Sequence, residues 1–188
     1  MKKLLFLCLA LSFYNSKAQT TYQNQILSLE VNRMKDQFVN LPYTKIVVGD
    51  SILINKKILQ EDRTIEDLAY WVVNTQKMTD IEAKEIFGKK GSLSFMSDNK
   101  NDVWNYENFS GFKVALFDEK YTNAVTNKNS EKIGVGTFNI LSISKPMIRE
   151  DKKYAIIKTS SESQGSLLSI YKLVGKKWEL FKQMSLHS

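Results

Sequence analysis

The 188-residue chain is 43% hydrophobic and 25% charged, which is enough apolar material for a folded core and too much for a disordered segment. Its formal charge of +7, from 27 Lys and Arg against 20 Asp and Glu, is spread along the sequence, too mild and too dispersed for a nucleic-acid-binding protein. One Cys and one His argue against disulfide scaffolds, thiol chemistry, Ser-His-Asp triads and multi-histidine metal centres.

Met1-Lys-Lys is a basic start, Leu4 to Phe13 an apolar run, and Ser16-Lys-Ala18 puts small residues where a signal peptidase reads. Residues 1–18 are therefore predicted to be a signal peptide, cleaved between Ala18 and Gln19, and the product to be exported, periplasmic or secreted. The run is well short of the about 20 apolar residues that span a bilayer, so no stable membrane anchor is expected after cleavage. Cys8 follows Leu7, where a lipoprotein signal needs a small residue, so lipid attachment is not expected. Cleavage removes that cysteine and Lys2, Lys3 and Lys17, leaving 24 basic against 20 acidic residues, a net +4. The disulfide-free remainder, 19–188, must be held by its core, and its length suits a single domain.

Leu27, Val31, Met34, Phe38 and Leu41 recur at spacings of four and three, one apolar stripe on an amphipathic helix over Thr21 to Asn40. Leu41-Pro42 stops it. Tyr43 to Val48 reads as a strand ending at Gly49-Asp50-Ser51, Ile52 to Ile54 as an extended continuation, and Asn55 to Arg63 as a loop. Thr64 opens a second helix, with Asp67 three residues on and Ile65, Leu68, Ala69, Trp71 and Val72 as its apolar side. Thr79-Asp-Ile-Glu82 is a capping box starting a third, short helix that runs to Phe87, where Gly88 supplies the stop.

From Lys89 to Ser130 the pattern weakens. Asp98-Asn-Lys-Asn-Asp102 has Lys at the third position of a calcium loop, Val103 at the sixth and Phe109 at the twelfth, and so fails that motif. Trp104, Tyr106, Phe109 and Phe112 place four aromatics in nine residues. They serve either as packing for sheet and helices or as an exposed platform for a sugar or peptide, and they are the candidate binding residues. Phe112 to Phe117 reads as a strand and Asp118 to Lys132 as a polar excursion. Gly134-Val-Gly136 lacks the lysine of a phosphate loop and precedes a strand instead of a helix.

Four strands follow. The first, about Val135 to Ser144, ends at Lys145-Pro146; the second is Tyr154 to Thr159; the third, Ser166 to Val174, is apolar on both parities, as a central strand covered on both faces would be. Leu173-Val-Gly-Lys-Lys-Trp178 then sets two apolar runs around Gly175-Lys176, the signature of a type II′ hairpin whose first central residue needs positive φ. Beyond it Trp178, Leu180, Met184 and Leu186 are predicted on one face, with Phe181 and Lys182 breaking the alternation as an edge irregularity or bulge.

The run Ser-Ile-Ser-Lys-Pro-Met-Ile-Arg-Glu-Asp-Lys-Lys-Tyr-Ala-Ile-Ile over 142–157, followed by a small-residue loop and Gly-Lys-Lys-Trp at 175–178, resembles a group of secreted or periplasmic proteins from Bacteroidetes-type bacteria. That resemblance implies an exported protein with a C-terminal strand meander closed by a Gly-Lys-Trp hairpin. It implies no activity, since the group is uncharacterised. The loop at 161–165 departs from it, with one Gly where the group carries several.

The predicted fold is α+β: an N-terminal helix and two short helices on an antiparallel sheet that ends in a four-strand meander. A cone-shaped fold of the nuclear-transport-factor type is the alternative, by analogy. No residue is assigned as catalytic or as a metal ligand, and no cofactor is expected. Two functions survive. One is a non-enzymatic envelope module binding a protein, peptide or glycan through the aromatic stretch. The other is a carboxylate-dependent hydrolase of envelope or extracellular glycans, for which Asp50, Asp98, Asp102, Glu107 and Asp118 are the nominees and which requires two acids facing each other across a pocket.

Overall fold

The computed structural model describes residues 21–37, 44–45, 47–48, 51–60, 63–97, 102–118, 137–138, 140–161 and 164–186. The predicted cleavage site at Ala18 and Gln19, together with Phe38, Leu41, Asp50, Asp98 and His187, lies outside the described residues.

Among the described residues three α-helices, α1 (21–37), α2 (Ile65–Asn74) and α3 (Asp80–Phe87), combine with short parallel pairs and one main antiparallel sheet, so the fold is α+β. In chain order the strands are β1 (Thr44–Lys45), β2 (Val47–Val48), β3 (Ser51–Asn55), β4 (Phe95–Met96), β5 (Val114–Phe117), β6 (Thr137–Phe138), β7 (Ser142–Ile143), β8 (Met147–Arg149), β9 (Tyr154–Ser161), β10 (Gly165–Val174) and β11 (Lys177–Ser185). The main sheet runs β11-β10-β9-β8-β4, with β7 also on β9, and β8 to β11 form the C-terminal meander. β2, β3 and β5 form a second sheet in which β3 and β5 are parallel, and β1 pairs β6 in parallel.

Alternation along the central strands gives the sheet two cores. Ala155, Ile157, Tyr171 and Trp178 face α1 and β3, where they meet Ile26, Leu27, Val31, Met34 and Ile54. Tyr154, Ile156, Leu168 and Ile170 face the other way, onto Leu68, Val72, Ile86 and Phe87 of α2 and α3. β10 is thus central and covered on both faces, which is why its sequence is apolar on both parities. The side chains Leu27, Val31 and Met34 are buried as the α1 stripe predicts, and Ile26 and Glu30 are buried beside them.

Gly175 turns the final hairpin at φ 62°, and β10 and β11 pair from Val174↔Lys177 outward. The register shifts between Ile170 and Tyr171: Tyr171 opposes Leu180 and Ile170 opposes Lys182, so Phe181 is the extra residue of a bulge. That insertion corrects the single face predicted for this strand. Trp178 joins the α1-side core, whereas Met184 and Leu186 join the core under α2 and α3, because one added residue inverts the parity downstream.

The first predicted meander strand is broken into pieces. β6 leaves for β1 and β7 stays on β9 at Ser160–Thr159, while β8, an unpredicted strand beyond Pro146, pairs with Ile156–Ala155 of β9. Pro146 separates β7 from β8, since it has no N–H for a ladder. Ser144 bridges the break: its N–H donates to the Lys158 carbonyl and its hydroxyl accepts the Lys158 N–H, each at 2.8 Å.

Candidate functional site

Both short helices begin with reciprocal capping boxes. Thr64 Oγ1 accepts the Asp67 N–H at 3.1 Å and Asp67 Oδ2 accepts the Thr64 N–H at 3.2 Å; Thr79 and Glu82 repeat the exchange at 3.2 and 2.8 Å. Their apolar sides, Leu68, Ala69 and Val72 on α2 and Ala83, Ile86 and Phe87 on α3, pack onto the main sheet. Gly88 then stops α3 at φ 79°, and a 3₁₀ turn, Lys89–Gly91, carries the chain back against the start of α2. The approach is so close that a Cβ on Gly91, itself at φ 73°, would stand 2.5 Å from the Glu66 Cα.

This hairpin of helices and its returning turn enclose an open cleft of about 680 Å³. Its floor is small and apolar: Ala69, Val73 and Ala83. Tyr70 lines one wall and is 73% exposed, the ring standing clear of the core although α2 is otherwise well packed. Glu66, Asp67 and Asn74 continue the α2 wall, Asp80 and Lys84 come from α3, and Lys89 and Lys90 from the turn. Asp67 is occupied by its own cap, and the Thr64 hydroxyl and N–H hold its carboxyl below the ordinary carboxylate range. Asp80 is paired with Lys84 one helical turn on. The side chains of Glu66, Tyr70, Asn74, Lys89 and Lys90, in contrast, make no hydrogen bond or ion pair among the described residues.

The aromatic stretch singled out in the sequence is elsewhere and mostly inward. Trp104 and Phe109 are 4% and 2% exposed and meet edge to face with centroids 5.4 Å apart. The Trp104 backbone N–H donates to the Lys56 carbonyl at 2.7 Å and its indole Nε1–H to the Ile143 carbonyl at 3.1 Å, so the ring fastens the segment after β3 to β7. Phe112 is half-buried against the same core, and Tyr106 alone of the four is well exposed, at 63%. The four therefore do not share an exposed face: the 3₁₀ turn Tyr106–Phe109, capped by Asn105, turns Phe109 in and Tyr106 out. Of the nominated acids, Asp102, Glu107 and Asp118 are exposed and none of them lines the cleft.

Two polar clusters escaped the sequence reading. On the α1 face, Glu30 is fully buried and its carboxylate accepts from Arg33 Nε at 3.1 Å, Ser169 Oγ at 3.1 Å and Tyr171 OH at 2.7 Å. Burial and then the adjacent carboxylate push the Tyr171 phenol far up, so it stays a donor. Burial works to lower the Arg33 pKa, but the hydrogen bond and charge of Glu30 outweigh it and the net shift is upward. The spacing Ile26–Glu30–Met34, four and four, was the available signal: it places the carboxylate inside the apolar stripe.

On the opposite face Arg149, 5% exposed, grips Asp151 through two hydrogen bonds of 2.7 Å and donates to the Ile86 carbonyl at 2.9 Å, capping the end of α3. Its guanidinium carbon lies 4.6 Å from the Tyr154 ring centroid. The Tyr154 hydroxyl donates to Glu85 Oε1, which Lys172 Nζ also reaches at 3.0 Å. Those bonds, Tyr154 first and Lys172 second, hold Glu85 below its ordinary range, and Arg149 does the same to Asp151. Apart from the Arg149–Asp151 pair, the bonds of this cluster join α3 to the sheet, which identifies it as a fastening.

Among the described residues no three His, Cys, Asp or Glu side chains are grouped as a metal site would need, and no helix is long and apolar enough to cross a membrane. What fold and cleft together define is an α+β domain carrying an open, two-helix cleft on one face of its main sheet. Comparison with family models, with curated proteins and with solved structures found no match.

Proposed function

We propose that this chain is a non-enzymatic binding module of the bacterial cell envelope, exported to the periplasm or beyond, whose ligand face is the cleft between α2 and α3. The observation that carries the reading is Tyr70, a 73% exposed aromatic on the wall of a 680 Å³ cleft with an apolar floor and a polar rim. Small-molecule sites occupy about 300–1,000 Å³ and combine an apolar lining with a few convergent polar groups. The signal-peptide pattern of Met1 to Gln19, and the resemblance of 142–178 to secreted proteins, support the address. The test is a screen of the protein against envelope glycans and peptides by calorimetry, repeated with Tyr70→Ala. A ligand lost on that substitution is expected; ligands that bind the variant equally well would place the site elsewhere.

Three carboxylates on the cleft favour a second reading, a hydrolase of envelope or extracellular glycans. Asp67 is committed to its cap and Asp80 to Lys84, which leaves Glu66 as the one uncommitted carboxylate on the cleft, one short of the pair this chemistry uses, so binding is the better-supported reading. Release of reducing ends from a glycan, abolished by Glu66→Gln, would establish turnover in place of binding alone.

A further inference from the structure

We infer that the cleft takes a neutral oligosaccharide, with one sugar ring stacked on Tyr70. This rests on the cleft being a binding site and adds its ligand class. Charge decides first. The rim carries three acids, Glu66, Asp67 and Asp80, and three lysines, Lys84, Lys89 and Lys90. A polyanion or a polycation meets like charge along part of such a rim, and that juxtaposition costs binding. A neutral ligand meets none.

Hydrogen-bonding capacity points the same way. The free groups are of both kinds: Glu66 only accepts, Lys89 and Lys90 only donate, and the Asn74 amide does both. A sugar hydroxyl is donor and acceptor at once, so a ring with several of them satisfies this mixture without carrying charge. Tyr70 supplies the remaining requirement, a flat apolar surface with a polar tip, complementary to the C–H face of a pyranose.

A peptide fits less well. Both walls are helices whose backbone groups are already bonded, and no strand edge lines the cleft, so an extended peptide finds no ladder to join. An amphipathic helix would need broad apolar anchoring, and the floor offers Ala69, Val73 and Ala83. Small side chains project little into the cleft and leave its volume for a ring.

The full chain would be applied to an array of neutral oligosaccharides built from glucose, galactose, mannose, N-acetylglucosamine and xylose, beside sulfated and uronate glycans and a peptide library. Hits would be followed by calorimetry at two salt concentrations. The expected result is binding to at least one neutral oligosaccharide, nearly independent of salt, weakened tenfold or more by Tyr70→Ala and retained by Tyr70→Trp. Tyr70 is exposed, so both variants should keep the wild-type circular dichroism and melting temperature. Binding only to sulfated or uronate glycans, with affinity falling steeply as salt rises, would overturn the neutral ligand; so would binding of peptides alone. Either of those, if lost in Tyr70→Ala, leaves the cleft standing as a binding site. No ligand of any class sensitive to Tyr70 overturns both readings together.

Discussion

Replacing Glu30 by Ala removes an acceptor shared by the α1 helix and the middle of β10. The side chains of Arg33, Ser169 and Tyr171 each donate to that carboxylate, and all three are left without it. Removing one member of a buried ion pair typically costs about 3–5 kcal/mol, because the surviving charge stays desolvated. Arg33 keeps 15% of its side chain exposed and can recover part of its hydration, which places the loss toward the lower end. The Tyr171 hydroxyl has no such escape, and a buried donor without a partner costs about 1–3 kcal/mol. The expected total remains about 3–5 kcal/mol, a large fraction of the about 5–15 kcal/mol that holds an ordinary domain together. For a chain of this size that is a melting temperature lower by roughly 6–20 °C. Urea unfolding followed by far-ultraviolet circular dichroism and by tryptophan fluorescence would measure it. The triple variant Glu30→Leu/Arg33→Met/Tyr171→Phe, which removes every member of the charged core of the cluster, should recover most of the loss. A loss below about 1 kcal/mol in Glu30→Ala, the value of an ordinary solvated hydrogen bond, would refute the assignment of this carboxylate as the tie between helix and sheet.

Glycine positions give a paired test: Gly91→Ala should cost about 1–2 kcal/mol for its left-handed backbone and about 1–3 kcal/mol more for the collision with Glu66, whereas Gly175→Ala, with nothing within 4 Å, should cost the backbone part alone. Arg149→Ala strips a charged donor from the C-terminal end of α3 and should destabilise by about 2–4 kcal/mol, with amide exchange rising first in Asp80–Phe87; Arg149→Lys should rescue little, since the fork to Asp151 is lost. Acid should loosen the same helix. Glu82, Glu85 and Asp151 all titrate below their ordinary values of 4.5, 4.5 and 3.8, so the stability they contribute is fully present above about pH 4.5 and is lost as pH falls through the lowered values. A melting-temperature profile that stays flat from pH 6 to pH 2.5 would contradict this, and Glu85→Gln should make the decline shallower.

The parts of the fold that turn chemistry or a clean period controls were legible. Thr64, Thr79, Gly88 and the Gly175-Lys176 hairpin behave as their residue types require, because a capping hydroxyl or a positive φ is a local demand that distant packing does not override. The bulge announced itself as broken alternation at Phe181 and Lys182, but its consequence, Trp178 on one core and Met184 on the other, follows only from knowing where the extra residue falls. β4 and β8 were missed because two or three residues carry too little periodicity to read, and β4 exists only by pairing with β8 across a long connection, while β8 is held by β9 as well. The aromatic stretch misled for a different reason: Tyr106 and Phe109 are near neighbours of similar character, and only the 3₁₀ turn that holds them decides that one is surface and the other core. Tyr70 was passed over because it sits in an ordinary amphipathic helix. Its place on the cleft wall comes from the neighbour that the returning turn at Gly91 creates, and no local pattern encodes that neighbour.

The tie between Glu30 and Tyr171 spans 141 residues of sequence, and the Ser169 bond beside it spans 139. The α1 face of the domain therefore stays open until β10, and then β11 with Trp178, have arrived, however early the first helix is made. Closing contacts of that separation is slow, since the intervening chain must give up its freedom before the contact rewards it. On the proposed export route, a chain threaded outward from its N-terminus would cross the membrane with contacts of this separation unmade, and the emergence of the final hairpin would let α1 and β10 lock together.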